Sequence, residues 1–235
     1  GKVLTPPDYV LARPLSAYGE AMRGLRTALL LSNVDAPPRA VIVSSSLPGE
    51  GKTTTAIALA RSVAGSGKRV VLVDADLRRP ALTRTLGIEP EAGLVEYLAG
   101  EASLDEVLIG DEASGLQVLP TLKGSANAPD LQGSESMRVL VEKLKTDFDL
   151  VVVDSPPLLL VSDAVVMART CDKMLFVVKW EETPRQAADE AVHRLRQLDV
   201  DVAGVAFSRI DLARGSAYGG YGGGYYGKGA GYYVN

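Results

Sequence analysis

Cysteine and histidine each occur once in the 235 residues, as Cys171 and His193. A single cysteine excludes an intramolecular disulfide framework, and a single histidine excludes a zinc site built from Cys and His ligands. Any catalytic metal must therefore sit on oxygen ligands. Long apolar runs are also missing. None approaches the roughly 18 residues that a membrane-spanning helix needs, so the chain as given reads as soluble. Neither sign of charge dominates: 25 Lys and Arg against 29 Asp and Glu leave a net charge of -4, with no global pull toward nucleic acid or an anionic membrane. The chain begins at Gly1 rather than Met, which suggests a piece of a longer protein, whose localisation this piece does not define. What is present, 46% hydrophobic and 23% charged residues, fits one large α/β domain and rules out disorder throughout.

Residues 1–13 carry the Pro6-Pro7 pair and no sustained period, so they read as an extended lead-in, followed by a domain over 14–211. From Ser16 to Ser32, Met22, Leu25 and Leu29 recur at helical spacing beside Leu15 and Tyr18, with Glu20, Arg23 and Arg26 on the opposite side. Six short apolar runs follow: Ala40 to Val43, Arg69 to Val73, Leu116 to Leu119, Leu150 to Val153, Met174 to Val178 and Val202 to Phe207. They are Val-rich and mostly do not alternate, as expected of strands buried on both faces of a parallel sheet. Helical patterns separate several of them. Met137, Leu140, Val141 and Leu144 mark one helix, and Ala188, Ala191, Val192 and Leu195 mark another, for which Thr183 reads as the N-cap, Pro184 as the first residue and Gln186 as the partner in a capping box. Strands alternating with helices predict a doubly wound α/β sheet. The end differs: from Tyr218 to Asn235, eight Gly and six Tyr fill 14 of 18 positions. So little aliphatic surface cannot offset the entropy of ordering the glycines, and residues 212–235 read as a flexible tail. A Gly-rich chain of that length has an end-to-end distance of roughly 25–30 Å.

Three segments carry chemistry. The apolar run AVIVSSS leads into LPGEGKTTTA at 47–56 and then into a helical pattern. In such a strand, glycine turn and helix, Gly49 and Gly51 let successive N–H groups point at phosphate oxygens, with Pro48, Glu50 and Thr54 in the same wrap. Lys52 supplies charge to the β and γ phosphates, and the Thr53 hydroxyl is placed for Mg²⁺. Ser46 stands where the G-x-x-x-x-G-K-[ST] pattern has its first glycine. The second segment, VLVDADLRRP at 71–80, ends a strand with Asp74 and Asp76 two apart, hence pointing to one side, and two such carboxylates repel unless a cation joins them. A simple Asp-x-Asp turn is the plainer reading. The third, LVVVDSPP at 150–157, ends its run at Asp154, which either orders water around Mg²⁺ or caps the next helix. His193 on a surface helix, the apolar Cys171, Trp180, Tyr97 and Ser44 to Ser46 all read as packing residues, and no general base accompanies the serines.

Together these residues resemble the cytoplasmic kinase domain of the bacterial protein tyrosine kinases that control capsule and exopolysaccharide assembly. PGEGKTTTA resembles that family's Walker A, VLVDADLRRP its second Walker motif, LVVVDSPP its Walker B, and GLVEYLAGE at 93–101 is also similar. EAMRGLR at 20–26 fits its E-x-x-R-x-x-R oligomerisation motif, although Glu20, Arg23 and Arg26 read equally as a solvated, ion-paired stripe. The terminal tyrosines discriminate most, because the Walker motifs are shared with partition and septum-site ATPases. Those usually carry an early lysine, KGGxGKT, where this chain has Ser45, Ser46 and Leu47. The resemblance implies a P-loop fold and ATP with Mg²⁺ as cofactors. It implies Lys52, Asp74, Asp76 and Asp154 as catalytic residues, with Thr53, Asp76 and Asp154 toward the metal. It further implies transfer in trans to Tyr218, Tyr221, Tyr225, Tyr226, Tyr232 and Tyr233, and a ring-shaped homo-oligomer that phosphorylation dissolves. The implied partners are a transmembrane co-polymerase domain or adaptor and a cognate tyrosine phosphatase, at the cytoplasmic side of the inner membrane and without nucleic acid. The family would place adenine contacts in AFSRIDL at 206–212. The competing readings are a nucleotide-switched ATPase that phosphorylates nothing, and a scaffold with a sticky tail.

Overall fold

Branched apolar residues lose rotamer freedom in helices and pack well on a pleated surface. All six apolar runs accordingly lie in strands. A computed structural model, describing residues 4–125 and 127–211, shows β1 (Ala40–Ser45), β2 (Val70–Asp74), β3 (Ile109–Asp111), β4 (Leu116–Leu119), β5 (Leu150–Asp154), β6 (Lys173–Lys179) and β7 (Val202–Ser208). They form one sheet in the order β3-β4-β2-β5-β1-β6-β7. Every pairing is parallel except β3 with β4. Parallel neighbours need crossovers, and the described helices supply them: α1 (Pro6–Ala12), α2 (Ala17–Leu31), α3 (Lys52–Ala64), α4 (Leu82–Leu86), α5 (Leu94–Leu98), α6 (Leu104–Val107), α7 (Ala128–Gln132), α8 (Glu135–Asp147), α9 (Asp163–Ala168) and α10 (Arg185–Gln197).

Both sheet faces are covered, and alternate residues of each central strand feed opposite cores. Ala40, Ile42, Val151 and Val153 pack with Met137, Leu140, Val141 and Leu144 of α8 and Ala191 and Leu195 of α10. On the other face, Val41, Val43, Leu72 and Val152 pack with Ile57, Leu59, Ala60 and Val63 of α3. This is why α3, whose first residue is Lys52, is held so firmly beneath the site: each fully buried aliphatic side chain contributes roughly 1.5–3 kcal/mol.

Four details depart from the sequence reading. The lead-in is helical rather than extended over Pro6–Ala12. Thr5 and Asp8 form a capping box, and the two prolines occupy the first turn, where a missing N–H costs nothing. Val10 of α1 packs on Met22 and Ala58. Arg61 of α3, 4% exposed, binds Asp8 at 2.8 Å and Asp111 at 2.9 Å, tying α1 and the edge strand β3 to one helix. Second, β3 joins the sheet with only three residues, too few to show a period. Third, α10 begins at Arg185 with Pro184 at its cap, and no capping box forms. Thr183 instead accepts the Lys179 N–H at 2.9 Å. Fourth, β7 is an outer strand and not doubly buried: Val205 and Phe207 are 48% and 53% exposed.

At the end of the sheet away from the site, Asp172 accepts from the N–H groups of Arg39 and Ala40 at 2.7 and 2.8 Å and binds Lys145 Nζ at 2.8 Å. Burial pushes its pKa up, but Lys145 and the two amides outweigh that and leave it below the ordinary value. A depressed folded pKa gives stability that is present above the unfolded value, near 3.9, and is lost as pH falls through the folded one. Asp172→Asn is therefore expected to cost about 1–3 kcal/mol near neutral pH. It should also flatten the acid limb of thermal stability measured by circular dichroism below about pH 4.

Candidate active site

The strand order places β1, β2 and β5 side by side, with β5 between the other two. Their carboxyl ends converge on one crevice, the place where ligands bind in such sheets. Val43 of β1 is in register with Asp154, and so is Asp74 of β2. The loop after β1 turns through Gly49 at φ +80° and Gly51 at φ +91°, left-handed values that a side chain would strain. Gly51 is the N-cap of α3.

Lys52 is thereby aimed into a cluster of carboxylates. Its Nζ lies 3.1 Å from Asp76 Oδ2 and 3.7 Å from Asp154 Oδ1. Thr53 donates its hydroxyl to Asp154 Oδ2 at 2.6 Å. Asp76 also accepts the Arg79 N–H at 3.0 Å. Asp74 Oδ2 accepts the Ala81 and Leu82 N–H groups, both at 3.1 Å. Asp74 Oδ1, Asp154 Oδ1 and the Ser46 hydroxyl are buried without a hydrogen-bond partner.

These surroundings decide the charges. Burial, and then the charge of Asp154, push Asp74 up to about 8 despite the two amides. Burial also raises Asp154, against the pull of Lys52 and Thr53. Burial opposes the charge on Lys52, but Asp154 and Asp76 outweigh it and hold its pKa above the ordinary lysine value. The ammonium is the near cation for Asp76 and Asp154.

The structure thus brings Lys52, Thr53, Asp74, Asp76 and Asp154 together. The Glu50 residue is 3% exposed, its side chain turned inward with one oxygen accepting the Leu47 N–H at 2.9 Å. Ser44 and Ser45 are packing residues, donating to the carbonyls of Pro156 and Leu47. Glu20, Arg23 and Arg26 lie apart from the site on α2. Arg23 pairs with Glu20 and donates to the Pro14 carbonyl, while Arg26 donates to Ser66 Oγ at 2.9 Å. The six tail tyrosines and the rest of 212–235 lie outside the described residues. Sequence reasoning missed the supports of the 74–78 segment. The Gln132 amide donates to the Ala75 carbonyl, and Arg78 pairs with the buried Asp163 at 2.6 Å. These partners are 57 and 85 residues away, so no local pattern announces them.

A mainly parallel sheet whose first strand runs through a left-handed glycine turn into a helix headed by lysine, facing strand-end aspartates, defines the class of P-loop ATPases. The AAA domain family matches residues 39–202. The tyrosine-protein kinase YwqD of Bacillus subtilis is 31% identical over 212 residues, covering 90% of each chain. The succinoglycan biosynthesis transport protein ExoP of Rhizobium meliloti is 34% identical over 217 residues, 91% of this chain and 28% of that one. Among solved structures, the kinase domain of the Escherichia coli tyrosine kinase ETK has a TM-score of 0.82 at 30% identity, covering 88% of this chain and 82% of that one. The septum site-determining protein MinD of Pyrococcus horikoshii, complexed with Mg-ADP, shares the fold at a TM-score of 0.62 and 21% identity, over 71% and 68% of the two chains. The chain belongs to the bacterial tyrosine-protein kinase family of P-loop ATPases. It spans about 30% of the length of the first curated relatives it matches. No helix among the described residues is long and apolar enough to cross a membrane.

Proposed function

We propose that the chain is an ATP-dependent protein-tyrosine kinase acting on the tyrosine cluster of a neighbouring copy, in the service of exopolysaccharide or capsule export. The observation that carries this reading is Lys52, at the head of α3, held among Asp74, Asp76 and Asp154 on a chain that carries six tyrosines between 218 and 233. Family membership supports the chemistry, and similarity to ExoP, a succinoglycan biosynthesis transport protein, supports the polysaccharide context.

The donor set suits Mg²⁺. The oxygens are hard, and Asp154 keeps a buried Oδ1 without a hydrogen-bond partner. Among the described residues no three or more His, Cys, Asp or Glu close a metal cage by themselves. Mg²⁺ commonly keeps several waters and shares phosphate oxygens, so Thr53, Asp76 and Asp154 would hold it only in part. Bound there, it would neutralise charge on the β and γ phosphates.

The chain's own residues do the rest. The glycine turn presents N–H groups to the phosphates, and Lys52 swings from its carboxylates to the transferring group. The tyrosine oxygen forms its bond to phosphorus as the bond to ADP breaks, and Asp74 orients the hydroxyl and takes its proton late. Phosphorylation of the tail would add about -1.5 to -2 per tyrosine, repelling it from Asp76 and Asp154 and from other tails. On this reading the ring assembled through Glu20, Arg23 and Arg26 then dissolves. A transmembrane co-polymerase domain or adaptor and a phosphatase complete the proposal, at the cytoplasmic side of the inner membrane.

Asp76→Asn and Asp154→Asn test the metal assignment. Each is expected to lower phosphotyrosine formation by about a hundredfold or more, and to raise the Mg²⁺ concentration needed for half-maximal nucleotide binding. Unchanged Mg²⁺ dependence in both variants would remove them from the metal site.

A further inference from the structure

The phosphate loop is fastened to the far side of the sheet through Glu50. One carboxylate oxygen of Glu50 accepts the Leu47 N–H within the loop. The other accepts the hydroxyl of Thr183, which is itself fixed by the Lys179 N–H. From the end of β7, Ser208 donates its hydroxyl to the Glu50 backbone carbonyl at 2.6 Å, while its own carbonyl accepts the Trp180 N–H at 3.0 Å. Contact here is close: a Cβ added at Gly51 would lie 3.2 Å from Ser208 Oγ and 3.3 Å from its Cβ.

These bonds run between the loop and the ends of β6 and β7, whereas Lys52 and Thr53 face the ends of β2 and β5. A buried carboxylate in the phosphate loop is costly beside an anionic ligand unless it is fully hydrogen-bonded and turned away from it. Thr183 and Leu47 satisfy both demands, occupying one oxygen each and keeping the charge on the side opposite the cradle. Freed from Thr183, the carboxylate would be released to turn toward the phosphates and repel them.

We propose that Thr183 and Ser208 are positioning residues for nucleotide binding, acting through Glu50 to keep the phosphate loop wrapped and its one carboxylate out of the cradle. The inference rests on the reading that this loop binds nucleotide. Preorganisation of this kind acts on ground state and transition state alike, so its loss raises KM and leaves kcat in place.

The test uses the full chain with Thr183→Val, which keeps the shape and removes the hydroxyl, with Thr183→Ser, which restores it, and with Ser208→Ala. Binding of a fluorescent Mg-ADP analogue and the kinetics of phosphotyrosine formation are measured together. Thr183→Val and Ser208→Ala are expected to raise Kd and the KM for ATP about tenfold, equivalent to ~1.4 kcal/mol, with kcat within about twofold. Thr183→Ser should match the wild type. Glu50→Gln, which keeps the shape and removes the charge, should make Thr183→Val nearly silent when the two are combined. If Thr183→Val does not fold, Ser208→Ala carries the test by the same readouts. Unchanged affinity in Thr183→Val and Ser208→Ala, failure of serine to rescue, or a fall in kcat at constant Kd would overturn the proposal. A wild type that binds no nucleotide would instead overturn the reading on which it rests.

Discussion

Lys52→Met is expected to abolish phosphotyrosine formation, by at least about a thousandfold, while the fold survives. The methionine retains the apolar stem and deletes only the ammonium. That ammonium, with its side chain 11% exposed, is the near cation for Asp76 and Asp154, 3.1 and 3.7 Å away. In its absence Asp154 and Asp74, both already raised by burial, would take up protons more readily and so spare the fold from unpaired buried charge. Transfer has no such escape. Phosphoryl transfer through a loose transition state depends on positioned charge rather than covalent help, and no other Lys or Arg is hydrogen-bonded to these carboxylates through its side chain among the described residues. Phosphotyrosine detection on chains incubated with Mg-ATP, beside far-ultraviolet circular dichroism, checks both halves. A variant that labels itself like the wild type would place the chemistry elsewhere.

Removal of residues 216–235 is expected to eliminate most self-labelling and to leave nucleotide binding intact. The phosphate loop joins β1 to α3, and its carboxylates lie at or just beyond the ends of β2 and β5, all well before residue 216. Of the nine tyrosines, six lie between 218 and 233. The others are poorer acceptors: burial pushes the Tyr18 hydroxyl up to about 12, and Tyr97 is packed against the core. Tyr9, on α1, is 38% exposed and sets the residual level. In a mixture of tail-deleted active chain with full-length Lys52→Met, phosphate should appear on the inactive partner. Strict failure of that mixture would mean transfer within one chain.

The strands and the phosphate loop were legible because their signals are local. β1 and β5 are each a Val-rich run ending at a polar residue, and the loop's glycines and Lys52 follow within seven residues of Ser45. The placement of Asp74, Asp76 and Asp154 is legible for the same reason, each at or just beyond a strand end. Helix α1 is hard to read because its proline pair looks like a breaker, although prolines suit a first turn and the Thr5 to Asp8 box caps it. The cap of α10 was misplaced because Thr183 has a stronger tertiary claim on it, from Glu50, 133 residues away. β3 is too short for periodicity, and β7 shows an apolar run without showing that it would be the last strand of the sheet among the described residues. The position of Glu50 in the motif places it in the phosphate loop. That its carboxylate faces inward depends on Thr183 and Leu47, and nothing in the spacing of the motif carries that information.

The central claim is tyrosine phosphorylation by this chain on its own C-terminal cluster, and the intact mass before and after incubation with Mg-ATP tests it most directly. The expected spectrum shows successive additions of single phosphates, up to six, that map to Tyr218, Tyr221, Tyr225, Tyr226, Tyr232 and Tyr233 and disappear with Lys52→Met. ATP consumed with no change in mass would contradict the account and place the chain among ATPases that switch without transferring phosphate to protein.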